Sequence, residues 1–215
     1  KNLGKNNTMG FYDQVIELKQ LNTDRVEWFI SLCKDKKVLH IGCVDWPVFD
    51  PKSNLHMTLS KHTKELVGVD TNKEGLQDLH AFCGGRYYTE LTTLGQEQFD
   101  VVLVPETIEH VLNAGDFMKQ LMLFCKFKTL VITAPNAMMT EPSKVWNDSK
   151  YEKLASGKCL FTEVVHPDHK CWYSPYTLMN LVKTCCGEHW EIEEVGTLCN
   201  TSMVYVKVKQ RDEEW

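Results

Sequence analysis

The segment Asp100-Val-Val-Leu-Val-Pro105-Glu-Thr-Ile-Glu-His110 runs an apolar stretch straight into Glu106, Glu109 and His110. Residues three and four apart share one face of a helix, so the spacing predicts that two carboxylates and an imidazole project together. Massing such groups where a strand ends is costly unless a cation or a proton neutralises them, and that cost points to chemistry. A second imidazole pair follows in His166-Pro-Asp-His169-Lys-Cys-Trp172-Tyr-Ser. The two clusters together form a mixed oxygen and nitrogen donor set, which suits Mn²⁺, Fe²⁺, Zn²⁺ or Co²⁺ at least as well as Mg²⁺. Such a cation brings the pKa of a bound hydroxyl from about 16 toward neutrality. Without one, His110 or His169 is positioned to act as a general base. A structural alternative stays open: Glu106 as an acid favoured at a helix start, Glu109 on the surface and His110 as a satisfied imidazole.

The elements that must position these groups follow a βαβ grammar. Apolar residues Val15, Leu18, Leu21, Val26, Phe29, Ile30 and Cys33 predict leading helices over 11–33, broken near Asn22, with Thr23 or Asp24 as a cap. Strands are expected at 37–42, 65–70, 86–89, 99–104 and 129–134, and helices at 53–62, 72–82, 116–125 and 176–186. Apolar runs such as Thr129-Leu-Val-Ile-Thr-Ala134 suit strands covered on both faces, hence a mostly parallel sheet. Trp190–Val195 and Met203–Val208 predict a terminal β pair. Between Pro135 and Pro175 periodicity fades into a segment rich in Met, Trp, Lys and Ser, long enough to read as a lid or substrate wall. Met138, Met139, Trp146 and Trp172 would line a pocket there or cover the edges of the core.

A ligand site is expected at the carboxyl edge of this sheet. Gly42 ends the first predicted strand, where a residue without a side chain lets backbone approach a ligand. Asp70 closes the next strand and is placed to accept both hydroxyls of a ribose, so Gly42 and Asp70 imply an adenosine-type ligand.

The pieces Val-Leu-His-Ile-Gly42-Cys, Leu-Val-Gly-Val-Asp70, Phe-Asp-Val-Val-Leu-Val104 and Leu-Val-Ile-Thr-Ala-Pro-Asn136 resemble, in this order, the class I S-adenosylmethionine-dependent methyltransferases. The resemblance spans about 36–208 and implies an α/β Rossmann-like sheet, mostly parallel with an antiparallel last strand and helices on both faces. It places Gly42 beside the methionine moiety of S-adenosylmethionine, Asp70 on the ribose, Thr71 beside the adenine, Glu90 at the adenine edge, and Pro105 in the cofactor site. The chain departs from the family at His40, where an acid is usual, and at Val44, where a second glycine is common.

Glu106-x-x-Glu109-His110 with a later Asp-His-Lys segment is similar to small-RNA 3′-terminal 2′-O-methyltransferases; ubiquinone-pathway O-methyltransferases share the first turn. His-Pro-Asp-His followed by Trp-Tyr-Ser-Pro also resembles methyltransferases associated with bacterial glycan synthesis. By that resemblance Glu106, Glu109, His110 and His169 hold a divalent metal, with His166 as an alternate ligand. The expected function is O-methylation of a hydroxyl on a sugar, nucleotide or other small molecule. The alternatives are a metal-independent methyltransferase with a histidine base, or a non-catalytic nucleoside-binding module, which His40 and Val44 motivate. No Asp/Asn-Pro-Pro-Tyr/Phe motif follows Val104 and no Pro-Cys nucleophile occurs, which disfavours base methylation.

Composition sets the outer limits. A chain of 215 residues with 43% apolar content fits one domain: leading helices over 1–35, a cofactor core over 36–134, a substrate-side insertion over 135–175 and a last helix and strands over 176–215. Net charge of -5 argues against long nucleic acid as a partner and favours a small-molecule, sugar or nucleotide substrate. Nine cysteines without a Cys-x-x-Cys pair read as reduced thiols, with Cys185-Cys186 as packing; His166-x-x-His169-x-Cys171 lacks a second half to make a structural zinc site. No apolar segment approaches the roughly 18 to 20 residues of a membrane span, and the amino end reads as a polar tail, so a cytoplasmic location is expected. No pattern specifies an oligomeric state.

Overall fold

The structure, a computed structural model, describes residues 13–45, 50, 52–95, 97–138, 150–153, 159–162 and 166–211. In chain order the elements are β1 (Lys19–Gln20), α1 (Arg25–Cys33), β2 (Lys37–Ile41), α2 (Leu55–Leu59), β3 (Glu65–Val69), α3 (Lys73–Cys83), β4 (Arg86–Tyr88) and β5 (Gln98–Val104). They continue with α4 (Ala114–Phe124), β6 (Lys126–Pro135), β7 (Lys150–Lys153), β8 (Cys159–Thr162), α5 (Pro175–Cys185), β9 (Trp190–Leu198) and β10 (Met203–Gln210). Each α-helix starts on a side chain that accepts a hydrogen bond from an otherwise unpaired N–H: Asp24, Asn54, Asn72, Asn113 and Ser174.

Eight strands form one sheet in the order β1-β9-β10-β6-β5-β2-β3-β4. From β6 to β4 all pairings are parallel, whereas β10 runs antiparallel to both β6 and β9. Alternation along the central strands divides the core between two faces. Leu39, Val102, Val104, Leu130 and Ile132 pack with Met118 and Leu121 of α4 and Leu178 and Val182 of α5. Their neighbours Val38, Val101, Leu103 and Val131 turn the other way, onto Phe29 and Cys33 of α1 and Leu55 and Leu59 of α2. Burying each such side chain is worth about 1.5–3 kcal/mol, so a slip of one residue would forfeit both layers at once. This is the mostly parallel, two-faced sheet that the sequence predicts. The chain leaves β2 toward β3 on one side and returns to β5 on the other, opening a crevice at their carboxyl ends.

Two expectations are corrected. Residues 13–18 form no helix, and Lys19–Gln20 instead pairs parallel with β9. The reason lies far along the chain: at Gly196 a Cβ would stand 2.2 Å from the Lys19 carbonyl oxygen, so only glycine lets the strands meet. The helix expected over 53–62 shrinks to Leu55–Leu59. The 135–175 segment contributes a two-stranded antiparallel sheet, β7 with β8. Met139 and Trp146 lie outside the described residues, whereas Met138 is exposed. No helix among the described residues is long and apolar enough to cross a membrane.

Candidate functional site

At the carboxyl end of β2 the chain turns through Gly42, whose φ of +73° belongs to the left-handed region. A Cβ there would lie 2.1 Å from Thr107 Oγ1, so this glycine is required by close approach as well as by conformation. Its N–H donates to the Val69 carbonyl at 2.8 Å, tying the turn to β3. Asp70, the next residue after β3, accepts from Val44 N with Oδ2 and from Asn72 N with Oδ1, each at 2.9 Å. One carboxylate thus fixes the loops after β2 and β3. Val44, where a second glycine is common in the resembling family, packs its side chain with Leu76 and Leu79 of α3.

Beneath this loop His40 stacks on His56 with Nδ1 to Nδ1 at 3.2 Å, the residues 2% and 1% exposed. Burial holds His40 well below the usual imidazole range and brings His56 to about 4. The position that carries an acid in the resembling family is therefore a neutral, hydrogen-bonded ring.

The turn after β5 differs from the predicted helical face. Glu106 has φ +43°, a cost of order 1–3 kcal/mol for a residue with a Cβ, and its N–H donates to the Thr133 carbonyl at 3.1 Å. A single 3-10 turn, Ile108–His110, follows. Glu106 forms an ion pair with Arg25 of α1, and its Oε1 is buried without a hydrogen-bond partner. Glu109 is 2% exposed, Oε1 stands 4.0 Å from His110 Nε2, and Oε2 is buried and unpartnered. Burial pushes its carboxyl up to about 7.

Backbone contacts bring the second cluster to this turn. The amides of Lys170 and Cys171 donate to the Glu109 carbonyl at 2.7 and 3.2 Å, and Ala137 N donates to the Tyr173 carbonyl at 2.8 Å. The rings of His110 and His169 stand 4.8 Å apart between centroids, with His166 at 5.3 and 5.4 Å from them. One ligand atom from each of His110, His166 and His169 falls within 4.8 Å of the others. Glu106 and Glu109, expected in the same set, are not members of that three-ring group. His169 Nδ1 is buried with no partner, and burial lowers its pKa to about 4, with His110 and His166 adding to the effect. Trp172 packs edge-on against His169 at 5.7 Å, half exposed to the cavity.

A single cavity of about 1520 Å³ joins the two ends. Its lining includes Gly42, Asp70, Thr71, Glu90 and Pro105 at one end and Glu106, Glu109, His110, His166 and His169 at the other. Arg25 and Asp168 line it too and were not singled out from sequence. Asp168 is adjacent to a histidine already noted, which is a usable signal; Arg25 has none, since its partner lies 81 residues away.

No family model and no curated protein matches this chain. Solved structures do. An S-adenosylmethionine-dependent methyltransferase from Mesorhizobium loti is 12% identical, with a TM-score of 0.55 over 86% of this chain and 95% of that one. The [4+2]-cyclase SpnF is 7% identical, with a TM-score of 0.57 over 86% and 79%. The N-terminal domain of EvdMO1, in the presence of SAH and D-fucose, is 13% identical, with a TM-score of 0.50 over 87% and 82%. The chain therefore has the Rossmann-like fold of S-adenosylmethionine-dependent methyltransferases.

Proposed function

We propose that this protein is an S-adenosylmethionine-dependent O-methyltransferase that uses a divalent cation to activate a hydroxyl of a sugar, nucleotide or other small molecule. The observation that carries the reading is the opening of one cavity onto both the Gly42/Asp70 loops and the imidazole cluster beside buried Glu109. The donor set fits a cation: Glu109 Oε2 and His169 Nδ1 are buried acceptors without partners, a costly arrangement that positive charge relieves. His110 and His169 would hold the ion together with Glu109, whose Oε1 stands 4.0 Å from His110 Nε2 although it lies outside the three-ring group, and imidazole with carboxylate favours Mn²⁺, Fe²⁺, Co²⁺ or Zn²⁺ over Mg²⁺. When bound, the cation supplies Lewis acidity that lowers the pKa of an acceptor hydroxyl, and the sulfonium donor supplies an electrophilic methyl group.

The chain's own residues supply the rest. Asp70 would accept the ribose hydroxyls, with Thr71 and Glu90 lining the adenine side of the cavity. Pro105 and the Gly42 turn line the same cavity, and Trp172 would offer an apolar face to the acceptor beside His169. The EvdMO1 structure, obtained with SAH and D-fucose, supports a donor of this kind and an acceptor of sugar type. Calorimetric titration tests the donor half: SAH should bind the metal-free protein, and absence of heat and of a thermal shift would overturn the reading. Methyl transfer from labelled S-adenosylmethionine to a panel of diols tests the other half, with turnover expected to vanish on exhaustive chelation and return with Mn²⁺. Retained turnover after chelation would instead select a histidine base.

A further inference from the structure

The three histidines are not equivalent. The Asp168 backbone N–H donates to His166 Nδ1 at 3.2 Å, so that nitrogen presents its lone pair to the amide and the ring hydrogen is left on Nε2. His110 is the reverse: its Nδ1 faces Asp168 Oδ2 at 3.2 Å, so the hydrogen sits on Nδ1 and the Nε2 lone pair is free. His169 Nδ1 has no partner at all among the described residues.

A cation binds lone pairs, and His166 has none to spare on either nitrogen. Recruiting it would break the bond to the Asp168 amide. The same tight loop is closed by His169 N donating to the His166 carbonyl at 3.0 Å, which keeps the Asp168 amide beside the ring. The free Nε2–H nonetheless belongs to a ring among those of His110 and His169, on the wall of the same cavity.

We propose that His166 stands outside the cation's ligand set and orients the acceptor, donating from Nε2–H to one of its oxygens. This rests on reading the cluster as a cation site and adds a substrate preference to it. An acceptor with a second oxygen beside the reacting hydroxyl, as in a vicinal diol, satisfies both the ion and His166, whereas an isolated alcohol leaves the donor unpaired.

The test uses the full chain and metal alone. Two-bond ¹⁵N–¹H spectra of the histidine rings, with and without Zn²⁺, should show zinc-bound nitrogens for His110 and His169 and an unchanged Nε2–H pattern for His166. In Mn²⁺ calorimetry His166→Gln, which keeps an N–H donor, should change affinity by less than about threefold, whereas His110→Gln and His169→Gln should each lower it by about 10- to 100-fold or more. A zinc-bound nitrogen on His166, or a loss in His166→Gln equal to the other two, overturns the assignment while leaving the cation site standing. Failure of the unmodified protein to bind either metal overturns both. If His166→Gln does not fold, the spectra of the unmodified chain still decide.

Discussion

His110 and Asp168 are 58 residues apart in sequence, and His110 Nδ1 stands 3.2 Å from Asp168 Oδ2. The contact joins the turn after β5 to the loop before α5 and fixes which imidazole nitrogen faces the cavity. Carboxylates that orient a ligating histidine in this way typically contribute 10- to 100-fold in metal affinity. The Asp168 side chain is 58% exposed, which weakens its hold, so Asp168→Ala should lower Mn²⁺ affinity by about tenfold. Calorimetry measures it, and an unchanged affinity would remove Asp168 from the site.

Cation affinity should rise with pH through about 7, because burial raises Glu109 from its ordinary 4.5 to about 7 and the ion must displace that proton. The same shift sets a stability trend in the metal-free protein. A carboxyl whose folded pKa is raised contributes stability below its unfolded pKa and loses it as pH climbs through the folded one. Glu109 therefore contributes a loss on the order of 3 kcal/mol between about pH 4.5 and 7. Glu109→Gln should flatten this part of a urea-denaturation profile and remove the step near pH 7 from the pH dependence of Mn²⁺ binding.

His169 works in the opposite sense. Its pKa is depressed from 6.5 to about 4, so its contribution is present above 6.5 and is lost as pH falls through about 4. His169→Gln should remove that acid-side loss in the same denaturation series, and an unaltered acid limb would contradict the buried, neutral state of the ring.

Arg25 is the sole Lys or Arg among the described residues lining the cavity, and Glu106 is its partner there. Arg25 is the cationic side chain that this acid-rich space offers a carboxylate-bearing ligand. Arg25→Met should weaken SAH binding by about 10- to 100-fold, the worth of a charge-assisted hydrogen bond, and leave 5′-methylthioadenosine, which lacks the carboxylate, bound as before. Equal losses for both ligands would point to collapse of the loop instead.

Gly42→Ala should destabilise the fold by about 1–3 kcal/mol through its positive φ and its approach to Thr107. In a Thr107→Ala background the steric part should be recovered and the backbone part should remain, a difference that urea midpoints resolve.

Local sequence specifies much of this protein. The apolar runs of β2, β3, β5 and β6 are legible because strands buried on both faces leave no polar alternation, and the caps Asp24, Asn72 and Ser174 act on N–H groups two or three residues away. Gly42 and Asp70 are legible for the same reason: each stands directly after a recognisable strand. The distant pairings are not. Lys19 joins the sheet because Gly196 makes room, Arg25 meets Glu106 across 81 residues, and Glu106 takes a positive φ with its N–H bonded to the Thr133 carbonyl where its spacing to Glu109 suggests a helix. The types and spacing of the imidazoles are written in the chain, but their division of labour depends on the hydrogen bonds that the Asp168 amide and carboxylate make to two different rings. A histidine's chemistry is set by what its other nitrogen touches, and that contact exists only once the loops after β5 and before α5 have met.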